Sequence, residues 1–127
     1  MTVRILVVDD ESDIEMLFKQ QFRRELREGR FVLDFAASGD EALAKMKANG
    51  AGSLILLVSD INMPGMSGLE LLRHIREEFE NLSPEVFMIT AYGDSENYQR
   101  AIGLGATDLL TKPLDFTLLR QKLQLQD

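Results

Sequence analysis

Asp9, Asp10, Asp60, Thr90 and Lys112 are the side chains whose types and surroundings could do chemistry together, because each stands where an apolar run ends. Val3-Arg4-Ile5-Leu6-Val7-Val8 runs into Asp9-Asp10, Leu54 to Ser59 into Asp60, Val86-Phe87-Met88-Ile89 into Thr90, and Leu109-Leu110-Thr111 into Lys112. Three carboxylates gathered in one place repel one another unless a cation or a lysine offsets them. A hard divalent ion suits them: magnesium takes oxygen ligands and keeps waters or phosphate oxygens in its shell. Asp10 and Asp60 are the candidate direct ligands, and Asp9 a partner through water. A lysine beside an aspartate is a point charge fit to hold a phosphoryl oxygen, and a threonine hydroxyl can donate to another. The set suits in-line attack by Asp60 on a phosphoryl donor, giving an acyl phosphate.

That chemistry requires the run ends to meet at one edge. Apolar runs with little alternation are strands covered on both faces, as in a parallel sheet. The intervening segments carry helical spacing. Ser12 with Glu15 suggests a capping box for a first helix, with Ile14, Leu17, Phe18 and Phe22 on one face, lasting to about Glu28 and stopped by Gly29. Phe31 to Ala36 reads as a strand, and Asp34 places it at the sheet margin. Ser38 and Glu41 repeat the capping pattern before Ala42, Leu43 and Met46, and Asn49-Gly50-Ala51-Gly52 closes that second helix. After Asp60 the chain turns through Pro64, Gly65 and Gly68. Ser67 and Glu70 then open a helix with Leu69, Leu72, Ile75 and Phe79 as its buried stripe. Ser83-Pro84 leads into the fourth strand. Asp94 to Leu104, with Tyr98, Ala101 and Ile102, is the weakest helical pattern, and Asp115 caps a last helix carrying Phe116, Leu119 and Leu123. Five strands alternating with five helices through short loops give an α/β doubly wound three-layer sandwich. In an open parallel sheet, the carboxyl-terminal edge is where ligands bind.

The 127 residues fit one domain spanning 1–127, and 45% hydrophobic with 28% charged residues is a globular composition. A formal charge of -7 argues against nucleic acid or an anionic membrane as a direct partner. The lack of cysteine removes disulfides and thiolate metal sites. Met1-Thr2-Val3-Arg4 leads into a short apolar run that meets two aspartates, which is neither a signal peptide nor a membrane span, so a cytoplasmic location is expected.

Ile5-Leu6-Val7-Val8-Asp9-Asp10-Glu11, the stretch from Asp60 through Pro64 and Gly68 to Glu70, Thr90-Ala91, and Gly105-Ala106 through Lys112-Pro113 together resemble the receiver domain of bacterial two-component response regulators, over essentially the whole chain. The resemblance implies a flavodoxin-like sheet of order 2-1-3-4-5. It implies that Asp60 accepts a phosphoryl group from the histidine of a sensor kinase or phosphotransfer protein, with magnesium on Asp10, Asp60 and the backbone carbonyl of Asn62. Lys112 would pair with the phosphoryl group, and its bond to Pro113 is expected to be cis. Thr90 would move its hydroxyl toward the phosphoryl oxygen and rearrange the face formed by the fourth helix, the fifth strand and the fifth helix, altering an output domain, an effector protein or a homodimer. Tyr98, Leu109 and Leu118 are the candidate dimer contributors. Asn62 and Tyr92 lie where side chains influence attacking water. The sequence departs from the family at Leu109, where an aromatic ring is usual; an aromatic readout is excluded, and either the loop after Thr90 or a differently coupled face must carry the signal.

Two other functions use the same residues. A degenerate receiver would bind partners independently of phosphorylation, although no acidic or lysine member is missing. A small magnesium-dependent phosphatase would need a cap domain or a second acid-base group, for which Asn62 offers only an amide. The chain is therefore expected not to be an enzyme beyond taking and losing its own phosphoryl group. His74, between Arg73 and Ile75, reads as a structural surface histidine, Met63 and Met66 as loop packing, and Arg23, Arg24, Arg27 and Arg30 as a solvated face broken by Glu25 and Glu28.

Overall fold

The strands follow the runs read from the sequence, and their alternating side chains divide the core in two. In β1 (Val3–Val8), Leu6 and Val8 face one side while Ile5 and Val7 face the other, all at most 3% exposed. β3 (Leu56–Asp60) and β4 (Glu85–Thr90) do the same, with Leu57, Val86 and Met88 on the first side and Val58, Phe87 and Ile89 on the second. A strand covered on both faces cannot alternate with polar residues, which is why these runs carry so few of them. The computed structural model describes residues 3–49, 56–79, 85–91 and 95–124. The expectations for Gly50 to Gly52, Leu54, Ser83-Pro84, Tyr92 and Asp94 lie outside these residues, as does the side chain of Leu123.

All five strands are parallel in the order β2-β1-β3-β4-β5, with β2 at Phe31–Ala36 and β5 at Asp108–Thr111. β2 is an edge strand, and Asp34 there faces Arg4 at 3.9 Å and Lys45 at 3.4 Å. The first core layer packs α3 (Gly39–Asn49) and α4 (Gly68–Glu78) onto the sheet through Ala42, Leu43, Met46, Leu71, Leu72 and Ile75, with Ala101 of α5 (Ser95–Gly103) joining them. The second layer is built around Phe18 of α1 (Asp13–Gln21), Phe22, and Leu119 of α6 (Phe116–Gln124). The Phe22 ring meets Phe31 at 5.6 Å and Phe116 at 6.0 Å in edge-on geometry, which favours the positive rim of one ring over the negative face of another.

The described residues contain six helices where five were expected. The first helical pattern breaks at Phe22, whose φ of -106° and ψ of 23° interrupt the helix before α2 (Arg23–Arg27) resumes. The periodicity did not show this because the break keeps Phe22 fully buried, so the apolar spacing continues across it. Gly29, at φ 73°, ends α2 and lets Arg30 return its amide to the Glu25 carbonyl. Leu17, expected on the buried face, is 42% exposed; Ile14, Phe18 and Phe22, four residues apart, form the packed stripe instead.

The caps also differ. Ser67 and Asp115 accept backbone amides from Glu70 at 3.2 Å and from Thr117 and Leu118 at 3.0 and 3.1 Å, as expected. Ser38 takes the Glu41 amide at 3.1 Å, and Glu41 reaches back to Ala37 at 2.9 Å. The Ser12 and Glu15 box does not form. Ser12 is already helical in φ and ψ, so its hydroxyl caps nothing, and Glu15 pairs with Lys19 at 2.8 Å.

Candidate functional site

The sheet delivers its acidic and hydroxyl side chains to one edge by register. Val8 pairs with Ser59, Asp60 with Ile89, and Thr90 with Thr111, so the strands finish at similar heights. Backbone bonds fix the residues just past those ends. The Asp9 amide donates to Ala36, Ile61 to Ile89, and Lys112 to Thr90, at 3.0, 2.8 and 2.8 Å. The Gly68 amide donates to the Ile61 carbonyl at 2.8 Å, drawing the start of α4 against the strand end. That approach requires glycine: a Cβ there would lie 2.2 Å from the Asp60 carbonyl oxygen and 2.8 Å from Ile61 Cα.

Asp9, Asp10 and Asp60 each bring a carboxylate oxygen to within 4.8 Å of the others. Asp9 and Asp60 are buried and Asp10 is exposed, so the cluster has a closed floor and one open side. Lys112 reaches across it, with Nζ 3.0 Å from Asp60 Oδ2, 3.6 Å from Glu11 and 3.9 Å from Asp9. The other Asp60 oxygen accepts the Asn62 amide at 3.2 Å, and Asp9 Oδ1 accepts the Glu11 amide at 2.9 Å. Thr90 is fully buried, and the Asn62 side-chain amide donates to its hydroxyl at 3.5 Å. A cavity of about 340 Å³ opens beside Asp9, Asp10 and Glu11.

The electrostatics follow from this crowding. Burial pushes the Asp9 carboxyl above its ordinary pKa and the Asp60 charge adds to the effect, against the Glu11 amide and Lys112, which favour the carboxylate. Burial alone would lower the Lys112 pKa, but the Asp60 hydrogen bond and the charges of Asp60, Asp9 and Glu11 outweigh it and hold the ammonium above its ordinary value. One lysine thus meets three carboxylates, and Asp10 adds a fourth to the cluster. The oxygen-only donor set and its surplus negative charge fit a hard divalent cation.

All six sequence-derived candidates, Asp9, Asp10, Asp60, Asn62, Thr90 and Lys112, lie at this one edge, and the Lys112-Pro113 bond is cis. Two contributors had no role assigned from sequence. Glu11 joins the Lys112 network, for which the uninterrupted Asp9-Asp10-Glu11 run was the available signal. Gly68 was read as a turn residue, but its function is the close approach described above. His74 sits within α4 with its ring 3.4 Å from Glu78 and has no contact with this cluster among those described, and Met63 and Met66 pack at the first core layer.

Comparison with known proteins agrees with the sheet order. Residues 5–124 match the family model of the response regulator receiver domain, and the chain belongs to that family. It is 36% identical over 124 residues to the regulatory protein VanRB of Enterococcus faecalis, covering 98% of this chain and 52% of that one. The transcriptional regulatory protein ResD of Bacillus subtilis is 40% identical over 111 residues, 87% of this chain and 42% of ResD. The chain thus spans about half the length of these curated relatives. Among solved structures, the response regulator protein TrrA of Thermotoga maritima in complex with Mg(2+)-BeF is 33% identical with a TM-score of 0.78, over 99% of this chain and 100% of that one. The flavodoxin-like fold and a place in two-component signal transduction follow from the family. Among the described residues no helix is long and apolar enough to cross a membrane.

Proposed function

We propose that residues 1–127 form one phosphoacceptor receiver domain, in which Asp60 takes a phosphoryl group from the histidine of a sensor kinase or a phosphotransfer protein. The observation that carries this is Asp60 itself, a buried carboxylate at a strand end with a lysine ammonium 3.0 Å from one of its oxygens and two further carboxylates beside it. Asp60 would attack phosphorus in line while the histidine nitrogen departs, forming a carboxyl phosphate. Lys112 would follow the phosphoryl oxygens, a role supported by its ammonium meeting the Asp60 carboxylate. The Asn62 amide holds the other Asp60 oxygen and so fixes the plane of the nucleophile. Thr90 would give its hydroxyl to a phosphoryl oxygen, trading the long contact from Asn62.

Asp10, Asp60 and the Asn62 carbonyl would hold magnesium directly and Asp9 through water. When bound, the ion neutralises charge on both the carboxylate and the incoming phosphoryl group. TrrA, which is similar to this chain over its whole length, is described in complex with Mg(2+)-BeF, which supports magnesium as the ion. The product's charge would bias the face of α5, β5 and α6 toward an output domain, an effector or a second copy, in the cytoplasm, with no chemistry performed on other molecules. Leu109 lies half-buried against the first core layer, so no aromatic ring reports the change from that position.

Intact mass after incubation with magnesium and a small acyl-phosphate donor tests the proposal. One phosphoryl adduct that needs both magnesium and Asp60, and is absent from Asp60→Asn, is the expected result. A folded protein that takes no adduct would make the acidic edge a binding site only.

A further inference from the structure

Five of the chain's nine arginines, Arg23, Arg24, Arg27, Arg30 and Arg120, line a single cavity of about 480 Å³. In a chain of net charge -7 this concentration is local. Glu25, also in the lining, does not neutralise it: its buried carboxylate is taken by Arg120 Nε at 2.9 Å. Arg120 also donates to the Gln21 carbonyl and stacks over the Phe22 ring at 5.0 Å, so its guanidinium is held in place. Among the described residues, none of Arg23, Arg24, Arg27 and Arg30 has a carboxylate within 4.0 Å. Arg23 and Arg27, one helical turn apart, repel each other unless an anion lies between them. α1 and α2 run back from the acidic edge to the start of β2, which places the cavity at the opposite end of the sheet from Asp60.

We propose that this cavity binds a compact anion carrying several phosphoryl groups, the chemistry shared by inorganic polyphosphate and a nucleoside triphosphate. Guanidinium forks pair bidentately with phosphate oxygens, and the volume is that of a small-ligand site. No aromatic side chain is among the lining residues to stack on a base, so phosphate is what the surface can read. A concave surface also suits a compact anion better than duplex DNA, whose grooves receive protruding elements.

The test is isothermal titration of the full chain at constant ionic strength with tripolyphosphate, with a nucleoside triphosphate, with sulfate and with a short DNA duplex. Magnesium is left out so that no metal carries phosphate to the acidic edge. Single-site binding of tripolyphosphate, weakened about tenfold or more in the Arg24→Gln, Arg27→Gln double variant and unchanged in Asp60→Asn, is expected. Both substituted arginines are exposed, and an unchanged melting temperature shows that the variant folds. A tighter nucleotide than tripolyphosphate names the nucleotide as source, and the reverse order names inorganic polyphosphate. Absence of binding at millimolar ligand, equal binding by the double variant, a sulfate response equal to that of tripolyphosphate, or binding of the duplex alone would each overturn the proposal.

Discussion

Replacing Gly68 with alanine would test how the start of α4 is held against the strand that carries Asp60. The added methyl would lie 2.2 Å from the Asp60 carbonyl oxygen, 2.8 Å from Ile61 Cα and 2.8 Å from Met88 Cε. The methionine end can swing away, but the two backbone atoms belong to the strand end and its exit, so the helix must retreat by about 1 Å to restore ordinary contact. Overpacking of this kind costs about 3 kcal/mol, the upper part of its usual range. For 127 residues the unfolding entropy near the midpoint is about 0.27 kcal/mol per kelvin, so the melting temperature should fall by about 11 °C. Gly29→Ala is the control. Its φ of 73° makes alanine strained, but nothing lies within 4 Å of the new carbon, so a loss of about 1 kcal/mol, or about 4 °C, is expected. Thermal unfolding by circular dichroism in magnesium-free buffer gives both values. A Gly68→Ala melting temperature within 2 °C of the parent, or a loss no larger than that of Gly29→Ala, would refute the close approach.

Three further outcomes follow from the site and the exposed face. Burial and the Asp60 charge raise the Asp9 pKa, so above that pKa the fold carries a carboxylate it disfavours; Asp9→Asn should raise the melting temperature of metal-free protein at neutral pH, with the gain vanishing as pH falls through the raised value and wild-type Asp9 takes up its proton. A gain that grows on acidification would contradict that sign. Lys112→Ala removes the ammonium that meets Asp60, Glu11 and Asp9; magnesium affinity by titration calorimetry should rise while the rate of adduct formation falls about a hundredfold, and a parallel change in both would separate the lysine from the phosphoryl group. Tyr98, Ile102 and Leu118 are 48, 38 and 41% exposed on α5 and α6, and sedimentation velocity should show a larger dimer fraction with a phosphoryl mimic than without; two monomeric profiles at high concentration would exclude this face as a self-association surface.

The sheet and its acidic edge were legible because buried parallel strands must be apolar along their length, so a carboxylate at the end of such a run marks the edge by itself. Asp34 located the outer strand by the same logic, since a charge is tolerated where one side of the strand is free. Local geometry was less legible. The bend at Phe22 leaves no mark in a pattern that counts apolar residues, because the phenylalanine stays in the core on either side of it. Ser12 has the composition of a cap but a helical backbone, and no spacing rule distinguishes the two. Tyr98 and Ile102 fit a buried stripe by type and are exposed, since α5 buries only Ala101 among its described side chains. The arginines of α2 read as a solvated face because sequence alone does not show that Arg120, some ninety positions on, removes the nearest acid from them.

The most direct test of Asp60 as phosphoacceptor is to locate the adduct. After reaction with magnesium and an acyl-phosphate donor, rapid proteolysis and tandem mass spectrometry should place a single phosphoryl group on the peptide containing Asp60 and none on the peptide containing Asp9 and Asp10. A phosphoryl group on Asp9 or Asp10, or one retained at full yield in Asp60→Asn, would contradict the assignment of Asp60 as the nucleophile and reverse the roles given to the three aspartates.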